Sequence, residues 1–190
     1  LFPSESERRK LMPIPKNWKP CTDTKAQVIF SEIIAEAKRR GYDYNGSDLM
    51  VYTKNTTAYG ECRSQPTTKP IIPCYYSWIG VHESVLNNYR VLTEVLVHEI
   101  AHSFVPELHH NHIWKTIGDD IGSKFGVSVR PTVSTDYYES KGVVITPTAR
   151  YIVLCPQCGS QWEYFRMCKS VKDPAAFRCG KCGSALVRVK

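Results

Sequence analysis

The run Val97-His98-Glu99-Ile100-Ala101-His102 constrains this chain more than any other stretch. Its two histidines are four residues apart, and on a helix such positions project from one face. Both imidazoles then reach a single tetrahedral metal ion. Glu99, next to the first histidine, has a side chain long enough to meet a water at the metal without ligating it. The short pattern also arises by chance on surface helices with solvated histidines. Here it ends an apolar helical stretch, contains the small Ala101 and is followed by further histidines, which favours the metal.

A catalytic zinc takes three protein ligands and keeps an open position. Five of the six histidines lie between positions 98 and 112, in a run that continues Glu107-Leu108-His109-His110-Asn111-His112-Ile113-Trp114. A short loop after Pro106 can fold back under the helix and present one of them. Composition does not choose among His109, His110 and His112. The expected chemistry is hydrolysis. Zinc acidifies a water and polarises a carbonyl, while Glu99 takes the proton as general base and passes it to the leaving amine. Oxyanion stabilisation by His109, His112 or a tyrosine is left open.

A second metal pattern stands near the C-terminus. Cys155-Pro-Gln-Cys158 and Cys179-Gly-Lys-Cys182 are separated by twenty residues. Each pair suits a tight turn, followed by Gly159 or Gly183 where φ > 0 is often required. Four thiolates complete a closed, structural zinc site, so two zinc ions (Zn2+) per chain are expected. An iron–sulfur cluster or a redox pair is the minor alternative. Cys21, Cys62, Cys74 and Cys168 read as buried free thiols, with a Cys62–Cys74 disulfide only in an oxidising compartment.

Along the chain, residues 1–20 carry four prolines and read as an irregular arm. Helical spacing covers Thr22–Arg40, with Thr22 or Asp23 as cap and Gly41 as terminator. Leu49–Thr53 and Ile71–Ile79 read as strands, with a turn over Asn55–Gly60. Helical spacing returns over 85–105, stopped by Pro106, and over Ile113–Phe125. Residues 127–150 read as an extended connector. From Tyr151 short β runs alternate with glycine turns. The result is a chain of helices and strands in residues 21–148, then a small β zinc ribbon in 149–190.

The formal charge is +7, of which residues 151–190 supply +5 from seven cations and two acids. A basic surface favours a polyanionic partner without naming it. Trp162, Tyr164, Phe165 and Phe177 lie among Arg166, Lys169, Lys172, Arg178 and Lys181. Such a set can stack bases and contact phosphates, which makes Trp162 and these five cations candidate DNA contacts. It can equally be a mini-core with solvated charges. No apolar run has the length of a membrane span, and the N-terminus lacks the basic-then-apolar order of a secretory signal. The expectation is an intracellular protein, cytoplasmic or nucleoid/nuclear, not secreted and not in a membrane.

His98-Glu-Ile-Ala-His102, the downstream His-x-x-x-Trp and the terminal four cysteines, in that order, resemble the SprT-like metallopeptidases, the group that includes Spartan. The resemblance runs roughly from the first helix to the end of the chain. It implies an α+β fold, with a zincin-like metallopeptidase core of helices packed on a small antiparallel sheet in residues 21–148 and the β zinc ribbon after it. In that family the third ligand is the histidine four residues before an aromatic, usually within His-Gly-x-x-Trp. Counting back from Trp114 gives His110, with Asn111 where the glycine usually stands. The stretch Thr56-Thr-Ala-Tyr-Gly-Glu-Cys62 looks like the family's core strand segment. The resemblance further implies proteolysis of proteins bound or crosslinked to DNA, single-stranded DNA included, with the ribbon helping to engage it. Two other readings compete: a non-catalytic nucleic-acid adaptor that keeps a peptidase-like fold, and a metal-dependent hydrolase of another amide. The intact Glu99 favours the enzyme, because a scaffold has no need of it.

Overall fold

The computed structural model describes residues 13–53, 58–66, 75–105, 110–145 and 149–190. The chain is mixed α+β and divides into two compact units, Leu1–Ile145 and Thr146–Lys190.

In the first unit, strand β1 (Trp18–Pro20) precedes helix α1 (Thr24–Arg39), followed by β2 (Met50–Tyr52), β3 (Gly60–Pro66) and β4 (Tyr75–His82). A 3-10 turn (Glu83–Asn87) leads into helix α2 (Tyr89–Ser103), then α3 (His112–Ser123) and the short α4 (Thr135–Glu139). The four strands form one sheet in the order β1-β2-β4-β3. β1 pairs antiparallel with β2, and β3 antiparallel with β4, but β2 and β4 run parallel. The sheet is therefore mixed, not antiparallel throughout. The parallel pair follows from β3 being laid outside β4, so that β2 and β4 become neighbours across a crossover.

Local chemistry explains most element ends. The Asp23 carboxylate accepts from the Ala26 amide at 2.8 Å and caps α1. Ala26, Phe30, Ile33 and Ala37 form its buried face. The Asn88 side chain accepts from the amides of Arg90 and Val91 and starts α2 afresh. The helical spacing read from residue 85 thus spans two elements, because Asn88 is extended, with φ −138°. α2 is the central helix. Leu92, Leu96, Ile100 and Ala101 are fully buried, and the helix packs on β3, β4, α1 and α3.

Three sequence expectations change. Trp18–Pro20, read as irregular arm, forms an edge strand, since the Trp18 ring stacks on Tyr52 and lies against Gly80. That close approach also lets β4 run through Gly80 to His82 rather than stop there. The 127–150 connector contains α4, whose cap Ser134 accepts from the Tyr137 amide. Residues 1–12, the first half of the 55–60 turn, Ile71–Cys74 and Pro106–His109 lie outside the described residues.

The second unit holds a three-stranded antiparallel sheet, β6-β5-β7, made of β5 (Tyr151–Leu154), β6 (Gln161–Tyr164) and β7 (Val187–Arg188). One helical turn, α5 (Lys169–Lys172), covers it. Its core is small: Val153, Val171 and Leu186 with two cysteines, Cys155 and Cys179. Among the described residues no helix is long and apolar enough to cross a membrane.

Candidate metal centres

α2 carries His98 and His102 one turn apart, and α3 begins two residues after His110. The three Nε2 atoms form a nearly equilateral triangle, with edges of 3.2 Å (His98–His102), 3.0 Å (His102–His110) and 3.1 Å (His98–His110). Tetrahedral coordination at the usual metal–nitrogen bond length puts ligand nitrogens about 3.3 Å apart. The triangle therefore fits a single small divalent ion capping it. Burial, reinforced by the neighbouring rings, holds His98 down to about 3; burial and His110 hold His102 down to about 4. Both stay neutral at physiological pH, as a ligand must. The His98 ring also donates to the Arg130 backbone carbonyl, which fixes the tautomer and leaves Nε2 free to ligate.

His110 takes the third position. His112 is the exposed first residue of α3 and stands outside the trio. His109 lies outside the described residues.

Trp114 is the residue that sequence reasoning used only as a landmark. It is fully buried, and its ring lies 4.7 Å from His98, 5.2 Å from His102 and 4.6 Å from His110, centroid to centroid. One indole thus floors all three imidazoles. Asn111 sets this up: its side-chain oxygen caps α3 by accepting from the Trp114 amide at 2.9 Å. An Asn three residues before a Trp was a legible capping signal.

Glu99 stands apart from the triangle and is buried. Burial pushes its carboxyl up to about 8; the Glu61 charge adds to this, and a hydrogen bond from the Cys62 backbone amide opposes it. Strand β3 reaches it at Gly60, where a Cβ would lie 2.6 Å from the Glu99 Oε1 and 2.5 Å from Val95. Only glycine leaves room for the carboxylate there. Glu99 and His98 share a cavity of about 300 Å³ with Tyr59, Gly60, Val133 and Tyr138. Its far wall, Pro131–Val133 and Tyr138, comes from the segment that the sequence reading took for a connector.

The four cysteines of the second unit meet in the same way. Cys155 and Cys182 Sγ are 3.4 Å apart, and Cys158 and Cys179 Sγ 3.5 Å. All four sulfurs lie within 4.8 Å of one another as free thiols. The two turns repeat one hydrogen-bond pattern. The Gly159 amide donates to the Cys155 carbonyl and the Cys155 amide to the Ser160 carbonyl; Gly183, Cys179 and Ser184 do likewise. Gly159 and Gly183 have φ of +71° and +74°, as the turn expectation required. The Ser160 hydroxyl and amide hold the Cys158 thiol below its usual range, and Ser184 does so for Cys182. Cys168 is not part of the tetrad.

The aromatic set of this unit is divided. Trp162 and Tyr164 pack against the small core, whereas Phe165 and Phe177 are 48% and 39% exposed. Arg166, Lys169, Lys172, Arg178 and Lys181 are all exposed. Trp162 is therefore committed to packing, and the accessible aromatics are Phe165 and Phe177.

No protein-family model, curated protein or solved structure matches the chain.

Proposed function

We propose that the chain is a zinc-dependent endopeptidase of SprT-like type with a zincin-like core. The observation that carries this reading is the His98–His102–His110 triangle beside a buried carboxylate that is not a ligand. Bound zinc supplies Lewis acidity, polarising the scissile carbonyl and making water acidic at neutral pH. His98, His102 and His110 would hold it, beside the cavity that Glu99 lines. Glu99 takes the proton of the attacking water and returns it to the leaving amine. Val133 and Tyr138, with the start of β3, bound the space in which a substrate backbone lies. Cys155, Cys158, Cys179 and Cys182 would hold the second zinc, closed on all four sides and structural.

DNA-bound or DNA-crosslinked proteins are the substrates we favour. Phe165 and Phe177 stand exposed among five exposed cations, a composition that stacks bases and pairs with phosphates. The test is degradation of casein or histone by the zinc-loaded chain, with and without single-stranded DNA. Glu99→Gln should keep two zincs per chain and lose at least about a hundredfold in rate. Full activity in that variant removes the assigned base, and a metal content of one or none removes the frame.

A further inference from the structure

A second cavity, of about 240 Å³, adjoins the one that holds Glu99 and shares His98, Val133 and Tyr138 with it. It is the size of one side chain. Its remaining wall comes from α2 through Arg90 and Glu94, and from the later segment through Gly126–Arg130 and Tyr137. Glu94 is the one carboxylate among the described lining residues, and its charge is already met. It accepts from the Tyr137 hydroxyl at 3.0 Å and lies 3.4 Å from the Arg90 Nε and 3.6 Å from the Lys141 Nζ. Arg90 is spent as well, donating to the carbonyls of Phe125 and Gly126.

Arg130 differs from both. Its guanidinium rests 5.3 Å from the Tyr137 ring centre and has no carboxylate partner among the described residues. Its backbone carbonyl meanwhile accepts from the His98 ring. One residue therefore orients a metal ligand with its main chain and leaves a cation in the cavity next door. Two cations line the cavity, Arg90 and Arg130, against a single carboxylate among the described lining residues that Arg90 and Lys141 already pair, which makes this a site for negative charge. An unpaired guanidinium recognises a planar carboxylate through two parallel hydrogen bonds.

We propose that this cavity receives a carboxylate of the polypeptide substrate, paired by Arg130, so that cleavage falls beside it. The inference rests on the peptidase reading and names its specificity. Two sources share that chemistry: an Asp or Glu side chain flanking the scissile bond, or the C-terminal carboxylate of a short substrate.

The test uses the zinc-loaded full chain and two peptide sets. The first is capped at both ends and carries Glu or Gln at each position flanking a neutral bond. The second is neutral, with a free or an amidated C-terminus. At one position Glu should raise kcat/KM about five- to tenfold over Gln, mainly through KM. Arg130→Gln should abolish the gain, and Arg130→Glu should transfer it to Lys. Zinc content should be unchanged in both variants, since the His98 partner is a backbone carbonyl. A gain confined to free C-termini supports the carboxylate site and assigns it to the chain end. Peptides cut at equal rates in both sets overturn the carboxylate site and leave the peptidase reading standing. No cleavage by a chain with verified zinc removes both.

Discussion

The histidine trio and the cysteine tetrad are both ligand clusters, but they lean on very different amounts of structure. The trio stands on α2 and just ahead of α3, helices whose buried Leu92, Leu96, Ile100, Ile117 and Ile121 belong to a large core that owes nothing to metal. The tetrad stands on two glycine turns, and two of its own cysteines belong to a core with three other buried residues among those described. A fold that exists without its ion can present three ligands and spare a coordination position. One that depends on its ion uses all four.

Removing metal should separate the two most sharply. With a strong chelator the second unit should lose its structure, since structural zinc contributes about 10 kcal/mol or more to such small folds. The first unit should keep its helices. Amide exchange across both units reads this out, and equal protection loss in the two would break the comparison.

Trp114→Ala tests how far the trio depends on its floor. It should destabilise the first unit by about 3–5 kcal/mol and weaken its metal binding, with the cysteine site still loaded. Trp114→Phe, which keeps a ring, should restore most of the metal affinity. Denaturant melts and metal titration measure both effects. Unaltered metal affinity in Trp114→Ala would mean that the helices alone aim the imidazoles.

Gly60→Ala acts on Glu99 rather than on the ligands. The added Cβ meets the Glu99 Oε1 and Val95 at under 3 Å. A base displaced by about an ångström loses about a hundredfold in rate, while zinc content stays at the wild-type level. Loss of metal in this variant would show that β3 supports the trio as well.

The smallest effect separates the units by pH. Side-chain hydrogen bonds from Arg39 and Arg40 hold the Glu36 carboxyl down to about 2. Arg40 also pairs with Asp120 of α3. A depressed carboxyl contributes stability above its unfolded value, about 4.5, and loses it as pH falls towards 2. The first unit should therefore give up this contribution between pH 4.5 and 2, and Glu36→Gln should flatten its acid transition. The cysteine unit should already have released metal at higher pH, through protonation of its thiolates.

The two clusters also differed in how well they could be read. The tetrad was legible in full, because Cys-x-x-Cys followed by glycine encodes its turn locally. His98 and His102 were equally plain, since helical spacing alone aligns them. His110 needed the spacing to Trp114, because a loop hides which of several histidines turns inward. Gly60 fell within the core strand segment that the resemblance marks, but its contact with Glu99 was not legible, and nor was the role of Arg130. Their roles arise where β3 and the 126–138 segment meet α2, and no local pattern records a contact between residues that far apart in sequence. Asn88 shows the opposite failure: its capping signal was present, but continuous apolar spacing on either side masked it.

Sequence distance also sets an order on assembly. The trio and its indole floor lie within seventeen consecutive positions, from His98 to Trp114, so bringing them together closes only a short loop. Gly60 and Cys62, which set the carboxylate of Glu99, come from a strand nearly forty residues upstream. A newly made chain in which α2 has met α3, but β3 has yet to dock, can load its ion with the base still adrift. On the proposed reading, such an immature chain holds its cofactor while it is still harmless to itself and its neighbours.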